Sequence, residues 1–369
     1  MQVKILHTGD VHLGMAFSRY PEPVRKDLQQ VRWAALNNII TEANRQQCQL
    51  VVIAGDLFHS PSPGSYWREQ AVECFSRFNG KTIAVLPGNY DYDDGAADLW
   101  RAMGRRLPDK LVIMNEPRVY HLDRYGLEID LYPAPCYSRR ADENCLGWIK
   151  DTTIDPERLN LGIAHGAIEG MSPDLQGAYF NMSIPELESI AVDLWLLGHP
   201  HRRYPDQEQV KDARLLVCGT PEPDGMECNH PGNAWVIAVD DGHYSALAYD
   251  PSAYHFRTIN RTITDFSDLD NLEKELLAAN PEQTLARLDL SGTIDHSLYQ
   301  AMPEFYQRLH RCLYYLEVRN HLELLLSSQE IDRGFMEGSF SHCLLHLLQD
   351  DPAALQLAYQ LIGGQERDN

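Results

Sequence analysis

Three shortages bound this 369-residue chain before any motif is read. Its eight cysteines, Cys48, Cys74, Cys136, Cys145, Cys218, Cys228, Cys312 and Cys343, include no Cys-x-x-Cys pair, which disfavours a zinc ribbon or a disulfide scaffold and fits a reducing cytoplasm. No stretch approaches the ~20 uninterrupted apolar residues of a membrane-spanning helix, and residues 1 to 10 open on a strand-like run. Neither secretion nor a membrane span is expected. Positive charge is also short, with 32 Lys and Arg against 53 Asp and Glu, a formal net charge of −21. Phosphate contacts to nucleic acid come from clustered Lys and Arg, so the balance weighs against a broad nucleic-acid-binding surface. Internal repeats and low-complexity tracts are missing as well.

What the chain does have is a succession of short apolar runs that read as buried strands: Val3–Leu6, Leu50–Ala54, Thr82–Leu86, Leu111–Met114, Ile129–Tyr132, Leu161–Ala164, Leu194–Leu197, Leu215–Cys218 and Trp235–Val239. Between them, Val24–Gln46 and Trp67–Phe78 carry apolar residues at helical spacing. The layout is α/β (α+β) through residue 250, and the closer spacing of the later strands predicts a sheet sandwich flanked by helices. Past Asp250-Pro251 the pattern restarts as a small α/β cap over residues 251–320, with strands around Phe256–Ile263, Thr284–Leu290 and Cys312–Val318. Leu-rich positions from Leu322 onward predict a helical tail over residues 321–369, with Gln365–Asn369 fraying at its end. Residues 261 to 369 hold 8 basic and 18 acidic side chains, so much of the net charge lies outside the first 260 residues.

Chemistry concentrates in five short motifs: Asp10-Val11-His12, Gly55-Asp56, Gly88-Asn89-Tyr90-Asp91, His165-Gly166 and Gly198-His199-Pro200-His201. Each follows an apolar run, so residues distant in sequence can meet at one edge of a sheet, where ligand sites of such folds lie. In Asp10-x-His12 and His199-x-His201 the i, i+2 interval points both side chains the same way from extended backbone. Hydrolysis of a phosphodiester needs a nucleophile made from water near neutral pH and positive charge for the developing anion, and two metals roughly 4 Å apart supply both. Such a pair needs a bridging ligand with two oxygens, a role that suits Asp56. Mixed carboxylate, amide and imidazole ligation suits manganese or iron, with zinc or magnesium as alternatives. Arginines are grouped at Arg101, Arg105 and Arg106, at Arg139 and Arg140, and at Arg202 and Arg203. The last pair, just beyond His201, is the candidate for substrate phosphate.

These motifs, in this order, resemble the calcineurin-like metallophosphoesterases, and within them the SbcD-type DNA-repair nucleases. The opening Ile5-Leu6-His7-Thr8-Gly9-Asp10-Val11-His12-Leu13-Gly14, then Gly55-Asp56-Leu57-Phe58-His59, then Gly219-Thr220-Pro221-Glu222-Pro223 carry the likeness. The resemblance implies one metal held by Asp10, His12, Asp56 and His201 and a second by Asp56, Asn89, His165 and His199. It places His59 near the scissile phosphate, and His59, Tyr90 and Asp91 together form the catalytic candidates. Tyr90 departs from the pattern, standing where the family has a histidine that stabilises the transition state and protonates the leaving group. A phenol stays protonated at neutral pH, so it donates a hydrogen bond but shuttles protons poorly. Three readings of Tyr90 stay open: an alternative donor, a slower or endonucleolytic enzyme, or a subunit that binds metal without catalysis.

The function implied is a manganese-dependent DNA nuclease, exonuclease or endonuclease, working in DNA repair with an SMC-like ATPase of SbcC type on which the helical tail docks. A homodimer in the cytoplasm, with no membrane association, completes that expectation. Two competing readings are a small-molecule phosphodiesterase or phosphatase, which the acidic surface favours, and a metal-stabilised scaffold subunit with weak or no nuclease activity.

Overall fold

A strand such as Leu50–Ala54, buried at every residue, needs apolar partners on both faces. The computed structural model, which describes residues 2–172, 177–240 and 242–364, supplies them by stacking two sheets. In chain order the elements are β1 (Gln2–Thr8), α1 (Glu22–Arg45), β2 (Leu50–Ala54), α2 (Ser65–Ser76), β3 (Thr82–Leu86), α3 (Leu99–Arg106), β4 (Leu111–Ile113) and β5 (Tyr120–His121). There follow β6 (Ile129–Ala134), α4 (Gly147–Lys150), β7 (Leu159–His165), α5 (Ile184–Glu188), β8 (Leu194–Gly198), β9 (Gln209–Lys211), β10 (Leu215–Val217), β11 (Ala234–Asp240) and β12 (His243–Tyr249). One sheet has seven strands in the order β4-β3-β2-β1-β11-β12-β9, the other five in the order β10-β8-β7-β6-β5. Strands β1 to β4 run parallel to one another, as do β6, β7, β8 and β10.

The alternation of β2 shows how the layers are filled. Val51 and Ile53 face Leu36, Ile39 and Ile40 of α1, Phe75 of α2 and Trp100 and Met103 of α3. Leu50, Val52 and Ala54 face the opposite way and share a core with Ile129, Leu131, Leu161, Ile163, Leu194 and Leu196 of the second sheet. Beyond that sheet, Tyr132, Trp195, Leu197 and Val217 pack with Leu146, Ile149 and Leu187. The order is therefore helices, sheet, sheet, helices, and each fully buried Val, Leu or Ile contributes roughly 1.5–3 kcal/mol by leaving water. All nine apolar runs form strands, while β5, β9 and β12 were not anticipated.

Contacts divide the chain into two compact units, the first running to Asp224 and including His230–Ala253, the second comprising Gly225–Asn229 and the residues from Tyr254 on. In the second unit β13 (His255–Thr262), α6 (Phe266–Leu277), β14 (Thr284–Asp295), α7 (His296–Cys312) and β15 (Tyr315–Leu325) precede α8 (Ser328–Gly334), α9 (Phe340–Leu347) and α10 (Pro352–Gly364). Its three strands form a parallel sheet in the order β13-β14-β15. Leu322, Leu324 and Leu325, expected in helix, belong to β15: Leu322 and Leu324 are buried while Leu325 is 55% exposed, a period of two that only a strand produces. Ile331, Leu345, Leu355 and Ala358 from the three terminal helices gather on Leu324 and Leu326. The Gln365–Asn369 end lies outside the described residues. Among the described residues no helix is long and apolar enough to cross a membrane.

Candidate metal centre

Parallel strands end their ladders in step, and here the chain beyond β1 and β2 stays paired past the sheet edge. Asp10 N donates to Gly55 O at 3.0 Å, His12 N to Asp56 O at 2.9 Å and Leu13 N to Leu57 O at 2.9 Å. This brings two ligand-bearing loops side by side. The backbone expected to be extended through Asp10-x-His12 and His199-x-His201 instead turns sharply at the motif residues, with φ of 52° at Asp10, 50° at His12, 54° at Asp56 and 90° at His199. Non-glycine residues pay roughly 1–2 kcal/mol for the left-handed region, and such conformations cluster at functional sites. The second sheet approaches closely through Gly55 and Gly198. A Cβ on Gly55 would lie 2.1 Å from His165 Nδ1, and one on Gly198 would lie 2.0 Å from Ala54 O.

The loops of the first sheet supply Asp10, His12, Asp56 and Asn89, and the second sheet supplies His165 at the end of β7 and His199 and His201 from the loop after β8. Asp56 Oδ2 lies between them, 3.6 Å from His12 Nε2 and 3.3 Å from His165 Nε2. On one side of it, His12 Nε2 and His201 Nε2 are 3.4 Å apart, and His201 Nε2 is 3.5 Å from Asp10 Oδ1. On the other side, Asn89 Oδ1 lies 3.0 Å from His165 Nε2 and 3.3 Å from His199 Nδ1. All seven residues anticipated as ligands thus meet in one place. The donor set fits divalent cations, because carboxylate, amide and imidazole atoms converge on one place and Asp10 Oδ1 is buried with no hydrogen-bond partner among the described residues.

Neighbouring groups fix which nitrogen of each ring faces inward. His165 Nδ1 donates to Ala54 O at 2.8 Å, which leaves Nε2 for the centre. His201 Nδ1 lies 2.9 Å from Asp224 Oδ2, an outer carboxylate of the kind that orients metal-binding imidazoles. Arg32, buried within the apolar stripe of α1, donates to Val11 O at 2.8 Å and lies 3.7 Å from Asp224 Oδ2. Asp91 accepts from Gly88 N at 2.7 Å and Phe58 N at 2.9 Å, holding the β2 and β3 loops together. Tyr90 N donates to Asp56 Oδ1 at 2.7 Å.

Burial pushes His12 well below its ordinary value, His199 down to about 3 and His59 down to about 4, which keeps these rings neutral, as the candidate ligands His12 and His199 must be to bind a cation. Burial also raises Asp10 to about 6 and Asp91, which faces Asp56, to about 8. Against the opposing pull of burial, Asp56 raises His165 to about 9, while His165 and His12 hold the Asp56 carboxyl below the usual range. A cation in contact with Asp56 would take the place of that imidazolium.

Tyr90 lies at the His12 side, its ring 4.8 Å from the His12 ring and 4.4 Å from that of His59. His59 Nδ1 is 3.2 Å from His12 Nδ1. Arg139 Cζ stands over the Tyr90 ring at 3.3 Å, and Arg140 Cζ over Tyr179 at 5.4 Å. Tyr179 in turn lies 5.5 Å from His199. Arg202, 69% exposed, pairs with Asp206 at 2.6 Å, and Arg203 reaches Asp206 and Asn233. Asp224, Arg32 and Tyr179 were not anticipated. The Arg139-Arg140 pair was visible in the sequence, but its stacking on two tyrosines was not.

A family model for calcineurin-like phosphoesterases matches residues 3–203, the span that carries all seven ligand candidates. The chain is 25% identical over 299 residues to the Bacillus subtilis protein described as the uncharacterized metallophosphoesterase YhaO, covering 78% of this chain and 69% of that protein. It is 26% identical over 228 residues to the DNA double-strand break repair protein Mre11 of Halobacterium salinarum, covering 59% of this chain and 52% of that one. The SbcD component of the nuclease SbcCD of Escherichia coli K12 is 33% identical over 95 residues, 24% of this chain and 21% of that one. The chain's match thus spans about half the length of the Mre11 relative. The family model covers more than half of the chain and spans the five motifs at whose ends the seven candidate ligands converge, so this chain belongs to the calcineurin-like phosphoesterases, a family that hydrolyses phosphoesters with two divalent metal ions.

Proposed function

We propose that the protein is a manganese-dependent DNA nuclease of the SbcD type, with Asp10, His12, Asp56 and His201 holding one ion and Asp56, Asn89, His165 and His199 the other. The position of Asp56 Oδ2 between His12 and His165 carries the two-metal reading. When bound, the ions provide a nucleophile from water and charge for the developing anion. Asp224 and Ala54 O orient His201 and His165, Asp91 braces the loops, and the Tyr90 hydroxyl donates a hydrogen bond to the phosphate or leaving oxygen beside His59. Arg139, over the Tyr90 ring, and Arg202 and Arg203 provide local positive charge for the DNA backbone within a chain of net charge −21.

DNA as substrate, a role in repair and an SMC-like ATPase of SbcC type as partner are supported by likeness to proteins named for break repair and for a component of a nuclease. A cytoplasmic homodimer belongs to the same proposal. The deciding experiment measures manganese-dependent cleavage of duplex and single-stranded DNA, with and without a neighbouring SMC-like ATPase, beside hydrolysis of a small chromogenic phosphodiester. Cleavage of DNA supports the proposal. Hydrolysis of the small diester with neither DNA cleavage nor DNA affinity would replace it with a small-molecule phosphodiesterase, the reading that the acidic surface favours.

A further inference from the structure

In the second unit, α9 begins at Ser339, whose hydroxyl accepts from His342 N at 3.2 Å, and presents His342 and His346 one turn apart. Residues at i and i+4 share a helix face, and the two imidazoles lie 4.6 Å apart. Asp332, from α8, meets both. Its Oδ1 accepts from His342 Nε2 at 2.9 Å and from His346 Nε2 at 2.8 Å. The three atoms lie within 4.8 Å of one another. His342 and His346 are 14% and 29% exposed at the side chain, Asp332 57%, so a hydrated ion has access.

We propose that Asp332, His342 and His346 form a further divalent-cation site, suited to zinc, that ties α8 to α9. The chemistry is that of two imidazoles and one carboxylate with a fourth position left to water. A tetrahedral ion with bonds of about 2.0–2.1 Å separates its ligand atoms by roughly 3.3 Å. The present separations of 2.8 and 2.9 Å must open by about half an ångström to that value, and each ring must carry its proton on Nδ1 so that Nε2 offers a lone pair. Hydrogen bonding alone gives such a surface cluster little consequence, since exposed His and Asp pairs contribute about 0–1 kcal/mol. A bound ion makes it a cross-link. The place matters because the core beneath α8, α9 and α10 is small, built on Leu324, Leu326, Ile331, Leu345, Leu355 and Ala358. Both helices run from serine caps, Ser327 and Ser339, and none of the three proposed ligands anchors that apolar cluster.

The test is zinc content by elemental analysis of the full chain after equilibration with zinc and dialysis, compared among wild type, His342→Ala/His346→Ala and Asp332→Asn. Wild type should retain one more ion per chain than the double variant, and metal-dependent phosphodiester hydrolysis should be equal in the two. Asp332→Asn keeps an oxygen that can accept from both rings, so its loss of zinc reads out the carboxylate charge with little change of shape. Hydrogen exchange gives the second measurement: zinc should protect residues 328–348 in wild type and not in the double variant. Equal zinc content in wild type and the double variant, or zinc protection of 328–348 that survives the substitutions, would overturn the assignment.

Discussion

Replacing Tyr90 changes how the proposed centre treats the leaving group while sparing the centre itself. The backbone N–H of residue 90 donates to Asp56 Oδ1 at 2.7 Å, a bond that any side chain there retains. The ring packs against His12 and His59 with the Arg139 guanidinium 3.3 Å from its centroid. Tyr90→Phe preserves those contacts and removes only the hydroxyl. A hydrogen bond to a charged group contributes roughly 1.5–3 kcal/mol, and about 1.4 kcal/mol is tenfold in rate. Turnover should therefore fall on the order of 10- to 150-fold, with metal content and DNA affinity unchanged, the signature of an interaction made mainly in the transition state. Tyr90→His places the family's imidazole at this position and should raise turnover by about ten-fold or more. The assay is single-turnover cleavage of DNA in manganese, with elemental analysis on the same preparations. Equal rates for all three proteins under chemistry-limited conditions refute the argument and reduce the site to its metal ligands.

Asp56→Asn should abolish binding of both ions, because Oδ2 faces His12 and His165 together; stoichiometry by elemental analysis checks it, and wild type carrying at most one tightly held ion in excess manganese would contradict the two-metal arrangement. Asp224→Asn removes the carboxylate 2.9 Å from His201 Nδ1 and should weaken metal affinity by roughly 10- to 100-fold, with activity recovered at high manganese; an unchanged metal titration would exclude the orienting role. DNA binding should weaken steeply as salt rises, since neutralising phosphates releases counterions. Filter binding of Arg139→Ala, Arg202→Ala and Arg203→Ala across a salt series should show a shallower slope for each arginine that contacts phosphate, and slopes equal to wild type would remove these residues from the interface.

The seven ligand candidates were legible because each follows a strand buried on both faces, and such strands write themselves as continuous apolar runs. Elements outside that condition were harder to read. Strand β9 is three residues with exposed ends, and β12 lies on the flank of β11 with Ala246 its single buried residue, so neither shows a run or an alternation. In β15 the leucine-rich composition of Leu322–Leu325 suggested helix, whereas the pairing of Leu322 with Gly292 and Leu324 with Ile294 set an extended backbone. Asp224 directly follows the Gly219–Pro223 segment that carried the likeness, but its carboxylate gains meaning only where the fold brings it to His201. Arg139 was a legible charge, but only the fold shows the guanidinium lying on Tyr90.

The division of proposed ligands between two sheets has a thermodynamic consequence. No single sheet holds a complete set for the second ion: Asp56 and Asn89 come from one, His165 and His199 from the other. Cation occupancy and docking of the sheets are then linked equilibria, each favouring the other by the same free energy. An ion at a hundred times its dissociation constant adds about 2.7 kcal/mol to the folded state. A cavity cut in the shared core, at Val52 or Ile163, weakens the hold on the cation as surely as it weakens the fold wherever the sheets part before the chain unfolds. Chelation loosens the same seam from its opposite end.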